Sequence, residues 1–226
     1  MEVTKIFGDH LIDPNILKKY PIVINAGVHE GQEMIDLISL VPEVTIYALE
    51  PSNKCYNTIQ NNFSTYNNIN LIKKALVSSQ RKIESIEFTD FVQNGREYTY
   101  GGLSEFSEFR SSGYSYKVET TNLKKLLKTI NSDIGFLKAD IEGAEYEIIM
   151  DLDADMASKI KQIAIEVQDI PGKSYYQCKL DMIEKLETLG YEVYTHNNGD
   201  FTNDVETETI NNTPFVTGGL YAYKKK

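Results

Sequence analysis

The chain has 226 residues, 41% of them hydrophobic and 25% charged, with a formal net charge of −10. That length suits one α/β domain with a full core, spanning 1–226, and leaves little room for a second. The acidic balance argues against nucleic acid or an anionic membrane as partner, because phosphate-rich surfaces require a basic face.

An irregular opening reads as a short lid. Residues 22–26 then form a continuous apolar run, the pattern of a strand buried on both faces. Residues 31–41 carry Met34, Ile35, Leu37, Ile38 and Val41 on a helical stripe, and 44–49 form a second buried strand. Pro51-Ser52-Asn53 opens a helix that continues through Tyr56, Ile59, Gln60 and Phe63. Residues 70–77 make a third strand, so the chain begins β-α-β-α-β, the first half of a doubly wound sheet.

The rhythm breaks over 78–121. Residues 82–88 alternate like an edge strand, 94–116 have no sustained period, and 116–120 alternate again. This stretch reads as an insertion of short strands around a loop, either a substrate-recognition region or a surface excursion. Leu123, Leu126, Leu127 and Ile130 restore an amphipathic helix. A strand at 134–139, a short helix at 145–152 and a strand at 160–167 follow. A helix at 177–189 carries Leu180, Ile183, Leu186 and Leu189 on one face, and Gly190 suits its C-terminal cap. Two alternating segments, 191–195 and 217–223, read as a closing antiparallel hairpin joined by a long Asn-rich connection over 196–214.

Cys55 and Cys178 lie far apart with no metal-ligand spacing, as expected of two reduced thiols. No apolar stretch approaches the ~18 residues of a membrane span. The first residues also lack a secretion-signal layout, so the expected location is the cytoplasm. Asn62 and Asn211 begin glycosylation-type triplets that an Asn-rich chain produces by chance, and Lys224-Lys225-Lys226 reads as a solvated tail.

Three segments carry chemistry. The first strand runs into Asn25-Ala26-Gly27-Val28-His29-Glu30-Gly31, and the second ends at Glu50. A strand, a glycine-containing loop and a helix, with an acid at the next strand tip about 20 residues on, is how a doubly wound sheet holds a nucleoside. The third segment, Lys138-Ala139-Asp140-Ile141-Glu142-Gly143-Ala144-Glu145, leaves a buried strand at the edge where such sheets bind ligands. Its acids either cap the following helix or face a ligand; the capping role suits Glu145 better than Asp140. Glu166 ends the neighbouring strand, so it and Asp140 form a pair of solvated tips, share a divalent cation, or accept a proton from a hydroxyl. The metal-free arrangement is the one adopted, since no dense ligand cluster is visible. His29 sits inside the glycine loop and either solvates it or touches a ligand; His196 flanks a turn, and His10 carries no signal. Ser-His-Asp spacing, a His-Glu-x-x-His motif and a phosphate-gripping Gly-x-x-x-x-Gly-Lys loop are all missing.

These segments together resemble the FkbM-type S-adenosylmethionine-dependent methyltransferases. Residues 24–31 are similar to that family's Ile-Asp-x-Gly-Ala-Asn-x-Gly loop, and Leu49-Glu50-Pro51 to its acid–proline strand end. Residues 138–145 match its Lys-x-Asp-x-Glu-Gly-x-Glu signature. Val118–Leu123, Glu166 and Leu189-Gly190-Tyr191 fall where it has further matches, in order along most of the chain. The resemblance implies a Rossmann-like class I methyltransferase fold, with a mostly parallel seven-stranded sheet and a C-terminal antiparallel hairpin. It implies methyl transfer to a hydroxyl of a sugar, glycan or other small molecule. By position, Asn25, Ala26, Gly27 and Gly31 would flank the methionine part of the cofactor. Glu50 would hold the ribose, Ala75 would lie beside the adenine, and Asp140 would face the methyl group. Asp140 is then the first choice of base, with Glu166 and Glu142 in reserve. Two departures stand out: Asn25 replaces an Asp, and Val28-His29 replaces Ala-Asn. They are the only support for a catalytically silent binding or scaffold protein. A nicotinamide oxidoreductase is disfavoured by the missing Gly-x-Gly-x-x-Gly. Acceptor identity and oligomeric state leave no readable trace in the sequence.

Overall fold

The computed structural model describes residues 3–6, 10–93, 96–103, 113–196, 206–210 and 213–224. Chain order begins with a small antiparallel pair, β1 (Thr4–Lys5) and β2 (Leu11–Ile12), and then α1 (Pro14–Lys19). These residues form no lid. Ile6, Leu11, Ile12 and Leu17 are buried against Val23, Phe136, Ala164 and Tyr221, so the opening is a layer of the core. Asp13 caps α1, and its backbone joins Gln162 on a distant strand through Asp13 N–H to Oε1 (2.8 Å) and Nε2–H to the Asp13 carbonyl (3.2 Å).

The first half of the main sheet then follows as expected: β3 (Ile22–Ala26), α2 (Gln32–Leu40), β4 (Thr45–Leu49), α3 (Asn53–Asn62) and β5 (Ile69–Ile72). Ser52 caps α3. The third strand stops earlier than its apolar pattern suggests. At Lys73-Lys74 the chain kinks, with Lys74 N–H donating to the Ile72 carbonyl, and β6 (Ala75–Leu76) joins a different sheet.

That second sheet is the insertion. It contains β7 (Ser85–Gln93), β8 (Arg96–Leu103) and β9 (Gly113–Thr121), in the order β6-β9-β7-β8. The first of these was expected at an edge but lies inside the sheet, paired on both sides. Residues 94–95 and 104–112 of the expected loop lie outside the described residues. The preceding turn is clamped to the main body. Arg81 donates from Nε to both Glu147 oxygens at 2.8 Å, while Ser79 donates from backbone and hydroxyl to Asp151.

The second half comprises α4 (Leu123–Ile130), β10 (Phe136–Ala139), α5 (Glu145–Asp151), α6 (Ala154–Lys159), β11 (Gln162–Gln168), α7 (Tyr175–Thr188), β12 (Tyr191–His196), β13 (Glu206–Ile210) and β14 (Thr213–Lys224). The short α6 has too little periodicity to show in the sequence. The inward face of α7 is Tyr175, Cys178, Met182 and Leu186; of the expected stripe, Leu186 is core and Ile183 and Leu189 pack against it, while Leu180 is exposed. The expected connection at 196–214 holds a strand, β13, on β14; 197–205 and 211–212 lie outside the described residues. Both cysteines are buried and neither forms a disulfide. No helix among the described residues is long and apolar enough to cross a membrane.

The main sheet runs β12-β14-β11-β10-β3-β4-β5, with β14 and β12 antiparallel to their neighbours and the other pairs parallel. It is α/β, as expected. Its two faces bury separate cores: Ile24, Leu137 and Ile163 look toward α4–α7, while Val23, Phe136 and Ala164 look toward α1–α3. Alternation therefore sends Asn25 and Lys138, partners across β3 and β10, to the α2 side. Two apolar strands end there in polar groups.

Gly135, entering β10, packs against the Tyr20 backbone: a Cβ there would sit 1.8 Å from the Tyr20 carbonyl oxygen. The Gly135 N–H donates to Ile22 at 2.8 Å, so neither chain can retreat without losing that bond. Gly135→Ala is expected to destabilise the protein by about 1–3 kcal/mol through overpacking, measured as a lower midpoint in urea unfolding.

Candidate functional site

A cavity of about 240 Å³ opens at the carboxyl ends of β3, β4 and β10. Its lining is part apolar, from Leu49, Ala75, Leu76, Phe88 and Leu103, and part polar, from His29, Gln32, Asp140 and Glu142. Ala26, Gly27, Glu50, Ala75, Asp140 and Glu142, all proposed from sequence, line this one cavity. Asn25, Gly31 and Glu166 do not. Asn25 is buried beneath the loop, and Gly31 faces Phe63 and Met34, where a Cβ would meet the Phe63 ring at 2.5 Å. Gly31 thus serves the packing of α2 on α3 rather than a ligand's approach.

The loop after β3 is shaped by three left-handed residues, Gly27 (φ 77°), His29 (φ 55°) and Gly31 (φ 91°). A Cβ on Gly27 would fall 1.7 Å from the Asp140 carbonyl oxygen, so glycine is needed for the β3 and β10 tips to close together. His29 occupies a conformation that Asn, Asp and His adopt more readily than other side chains, which accounts for its exchange with the Asn of the family pattern. Burial lowers the His29 pKa below its ordinary value although several carboxylates lie nearby, which keeps the imidazole neutral.

Glu50 ties this loop to the next. Its carboxylate accepts from Ser52 N–H (2.8 Å) and His29 N–H (2.9 Å). Burial pushes its carboxyl up to about 7 in spite of those two bonds, and Asp90 adds to the rise. Asp90 belongs to the inserted sheet. It accepts from Tyr116 Oη–H at 2.8 Å, and Tyr116 Oη in turn accepts from Asn53 N–H at 3.2 Å. The insertion is thereby fastened to the start of α3, and it brings Phe88 and Leu103 over Ala75.

Beneath the polar lining lies a buried ion pair. The Lys138 ammonium is 3.0 Å from Glu33 Oε2, 3.0 Å from the Gly27 carbonyl and 3.8 Å from Asp140 Oδ2. Burial alone would discharge this lysine, but the Glu33 and Asp140 carboxylates reverse that and raise its pKa. Burial likewise opposes ionisation of Glu33, yet Lys138 and His10 outweigh it and draw its carboxyl down to about 2. Asn25 Nδ2 donates to Glu33 Oε2 at 3.1 Å. His10 Nδ1 lies 3.1 Å from Glu33 Oε1, both side chains buried. The carboxylate missing at position 25 is therefore present nearby, on α2.

The turn after β10 explains the spacing of its acids. Glu142 (φ 63°) and Gly143 (φ 108°) reverse the chain, and both Glu145 oxygens accept backbone N–H groups, from Ile141 and from Gly143. Glu145 staples the turn ahead of α5 rather than capping the helix proper. Burial pushes its carboxyl up to about 8, the Ile141 bond notwithstanding. Asp140, Glu145 and Glu166 hold carboxylate oxygens within 4.8 Å of one another, and these are the residues in a position to ligate a cation. The sequence pairing of Asp140 with Glu166 gains a third member in Glu145.

Sequence reasoning missed Glu33, His10, Phe88 and Leu103. Glu33 is not singled out and His10 carries no signal in the sequence; the one available pointer is an acid inside the apolar stripe of α2. Phe88 and Leu103 lie in the insertion, whose pairing has no local code.

The Methyltransferase FkbM domain model matches residues 25–193. Methyltransferase sdnD of Sordaria araneosa is 22% identical, over 74% of this chain and 74% of that protein. Methyltransferase 1 of Beauveria bassiana is also 22% identical, over 74% of this chain and 73% of its own length. Among solved structures, a putative rRNA-methylase from Clostridium thermocellum superposes over the whole of both chains at 10% identity with a TM-score of 0.51, a likeness of fold. The match spans the glycine loop, Glu50 and the Lys138–Glu145 turn that together build the cavity, and the chain belongs to the FkbM methyltransferase family.

Proposed function

We propose that this methyltransferase uses S-adenosylmethionine to methylate a hydroxyl of a sugar, glycan or other small molecule. The observation that carries this reading is the mixed lining of the cavity. Its apolar wall, formed by Ala75, Leu76, Phe88 and Leu103, suits a flat base. Glu50, also in the lining, has the acceptor oxygens that ribose hydroxyls need. The polar lining carries Glu33, Asp140 and Glu142, against Lys138, which Glu33 already neutralises. Lys74, the other lining cation, pairs with Glu119 at 2.9 Å. Such a surplus of carboxylates favours a sulfonium and an ammonium over the diphosphate of a nicotinamide cofactor.

Ala26 and Gly27 would hold the amino-acid part, Glu50 the ribose, and Ala75 with Phe88 the adenine. When bound, S-adenosylmethionine supplies a methyl group already activated by its sulfonium. The chain must then align the acceptor and take up its proton. Asp140 stands at the strand tip with its side chain about one-third exposed (35%), open to an incoming hydroxyl. Its carboxylate accepts the hydroxyl proton as the oxygen–carbon bond forms and the sulfur–carbon bond breaks. Glu142 lines the same cavity, and Glu166 stands within reach of Asp140 as an alternative acceptor.

Asp140→Asn is expected to lower kcat by about 10²–10⁴-fold, while S-adenosylhomocysteine binds nearly as in the wild type by calorimetry. Undiminished turnover in that variant excludes Asp140 as the base. Ribose hydroxyls bond best to an ionised Glu50. S-adenosylhomocysteine affinity should therefore climb as pH rises toward about 7 and level off above it. Glu50→Gln should bind more weakly and flatten that dependence, which a calorimetric series from pH 5.5 to 8.5 would read.

A further inference from the structure

Two carboxylates compete for one buried ammonium. Lys138 lies 3.0 Å from Glu33 and 3.8 Å from Asp140, so Glu33 holds the closer share. An ammonium has three protons to place, and here a second goes to the Gly27 carbonyl at 3.0 Å. We propose that Glu33 is a positioning residue, whose carboxylate keeps Lys138 bonded to the Gly27 carbonyl and off Asp140. The cofactor loop is thereby fixed and Asp140 is left open to the acceptor. The inference rests on the reading of the cavity as an S-adenosylmethionine site.

Geometry supports each link. Glu33 projects from the first turn of α2 into the core and is 4% exposed, so water cannot replace it as a partner for Lys138. The Gly27 N–H already donates to Leu49 at 3.1 Å; with the carbonyl held by Lys138, both backbone polar groups of that residue are fixed. Asn25 is the cross-strand neighbour of Lys138 and donates to Glu33, so the one carboxylate joins both side chains under the loop. Without the Glu33 charge, and with Glu166 adding a weaker pull, the carboxylate that stands ready for the ammonium among the described residues is Asp140 at 3.8 Å. Drawn there, it would release the Gly27 carbonyl and cover the base.

The test exchanges two neighbouring groups. Glu33→Gln removes the charge, and Asn25→Asp with Glu33→Gln returns it from the adjacent strand, still beside Lys138. Two readouts are taken on the full chain: S-adenosylhomocysteine affinity by calorimetry, and amide hydrogen exchange of residues 26–31 without ligand. Glu33→Gln should weaken binding by about tenfold to a hundredfold, the cost of a lost charged hydrogen-bond partner, and should speed exchange in the loop. The double variant should recover both. A folded Glu33→Gln protein with wild-type affinity and exchange overturns the proposal. Where Glu33→Gln alone does not fold, the double variant decides: wild-type-like binding and exchange support the proposal, and failure to fold or a loose loop overturns it. A wild-type protein that binds no S-adenosylhomocysteine refutes the reading of the cavity instead. The exchange data then still decide whether Glu33 fixes the loop.

Discussion

A single buried cation organises the ligand-binding edge of this sheet. Lys138 closes an apolar strand with a charge that cannot reach water, and a lone buried ammonium is one of the costliest groups a core can hold. It persists because Glu33 faces it from α2, the Gly27 carbonyl from the loop and Asp140 from the strand tip. Buried ion pairs of this kind add little net stability over a well-packed apolar substitute, whereas breaking one costs about 3–5 kcal/mol. What the pair contributes here is geometry. It joins β3, β10, α2 and, through His10, the segment before α1 at a single point, and that point lies directly under the cavity.

The inserted sheet supplies what the parallel sheet lacks. Open α/β sheets offer a crevice at their strand tips, and the roof must come from elsewhere. In this chain β7 and β8 bring Phe88 and Leu103 over Ala75, and the Phe88 ring leans on Tyr116 at 5.9 Å between centroids. Tyr116 and Asp90 then reach the start of α3, beside the residues that hold Glu50. The apolar wall and Glu50 are thus mechanically joined. An insertion with little sustained period in the sequence thus adds Phe88, Gly101 and Leu103 to the cavity wall.

The main sheet was legible because its strands are short apolar runs between clear helix signals. Residues 22–26, 44–49 and 160–167 needed no long-range information, and Ser52 announced its helix. Errors came where tertiary contact overrides local pattern. Lys73 and Lys74 interrupt an apolar run only because β6 pairs elsewhere. Leu180 looked like core, and the α7 face is set instead by Tyr175, Cys178 and Met182. At the site, the strand-tip acids could be named because their positions follow from strand ends. Glu33 could not, since its burial depends on a lysine 105 positions later in the chain. The carboxamide at Asn25 looked like a deficit for the same reason; the compensating charge is spatially adjacent and distant in sequence.

Three acids stand within 4.8 Å at the end of β10 and β11, and their surroundings separate their roles. Glu145 is almost wholly buried (1% exposed), both oxygens occupied by the turn it staples, and burial pushes its carboxyl up to about 8. Its oxygens are committed to the turn. Glu166 lies off the cavity, one strand further along. Asp140 is exposed enough to meet a substrate and lies 3.8 Å from the Lys138 ammonium. Among the three, Asp140 alone borders both the cavity and the cation, and that placement is what favours it as the proposed base.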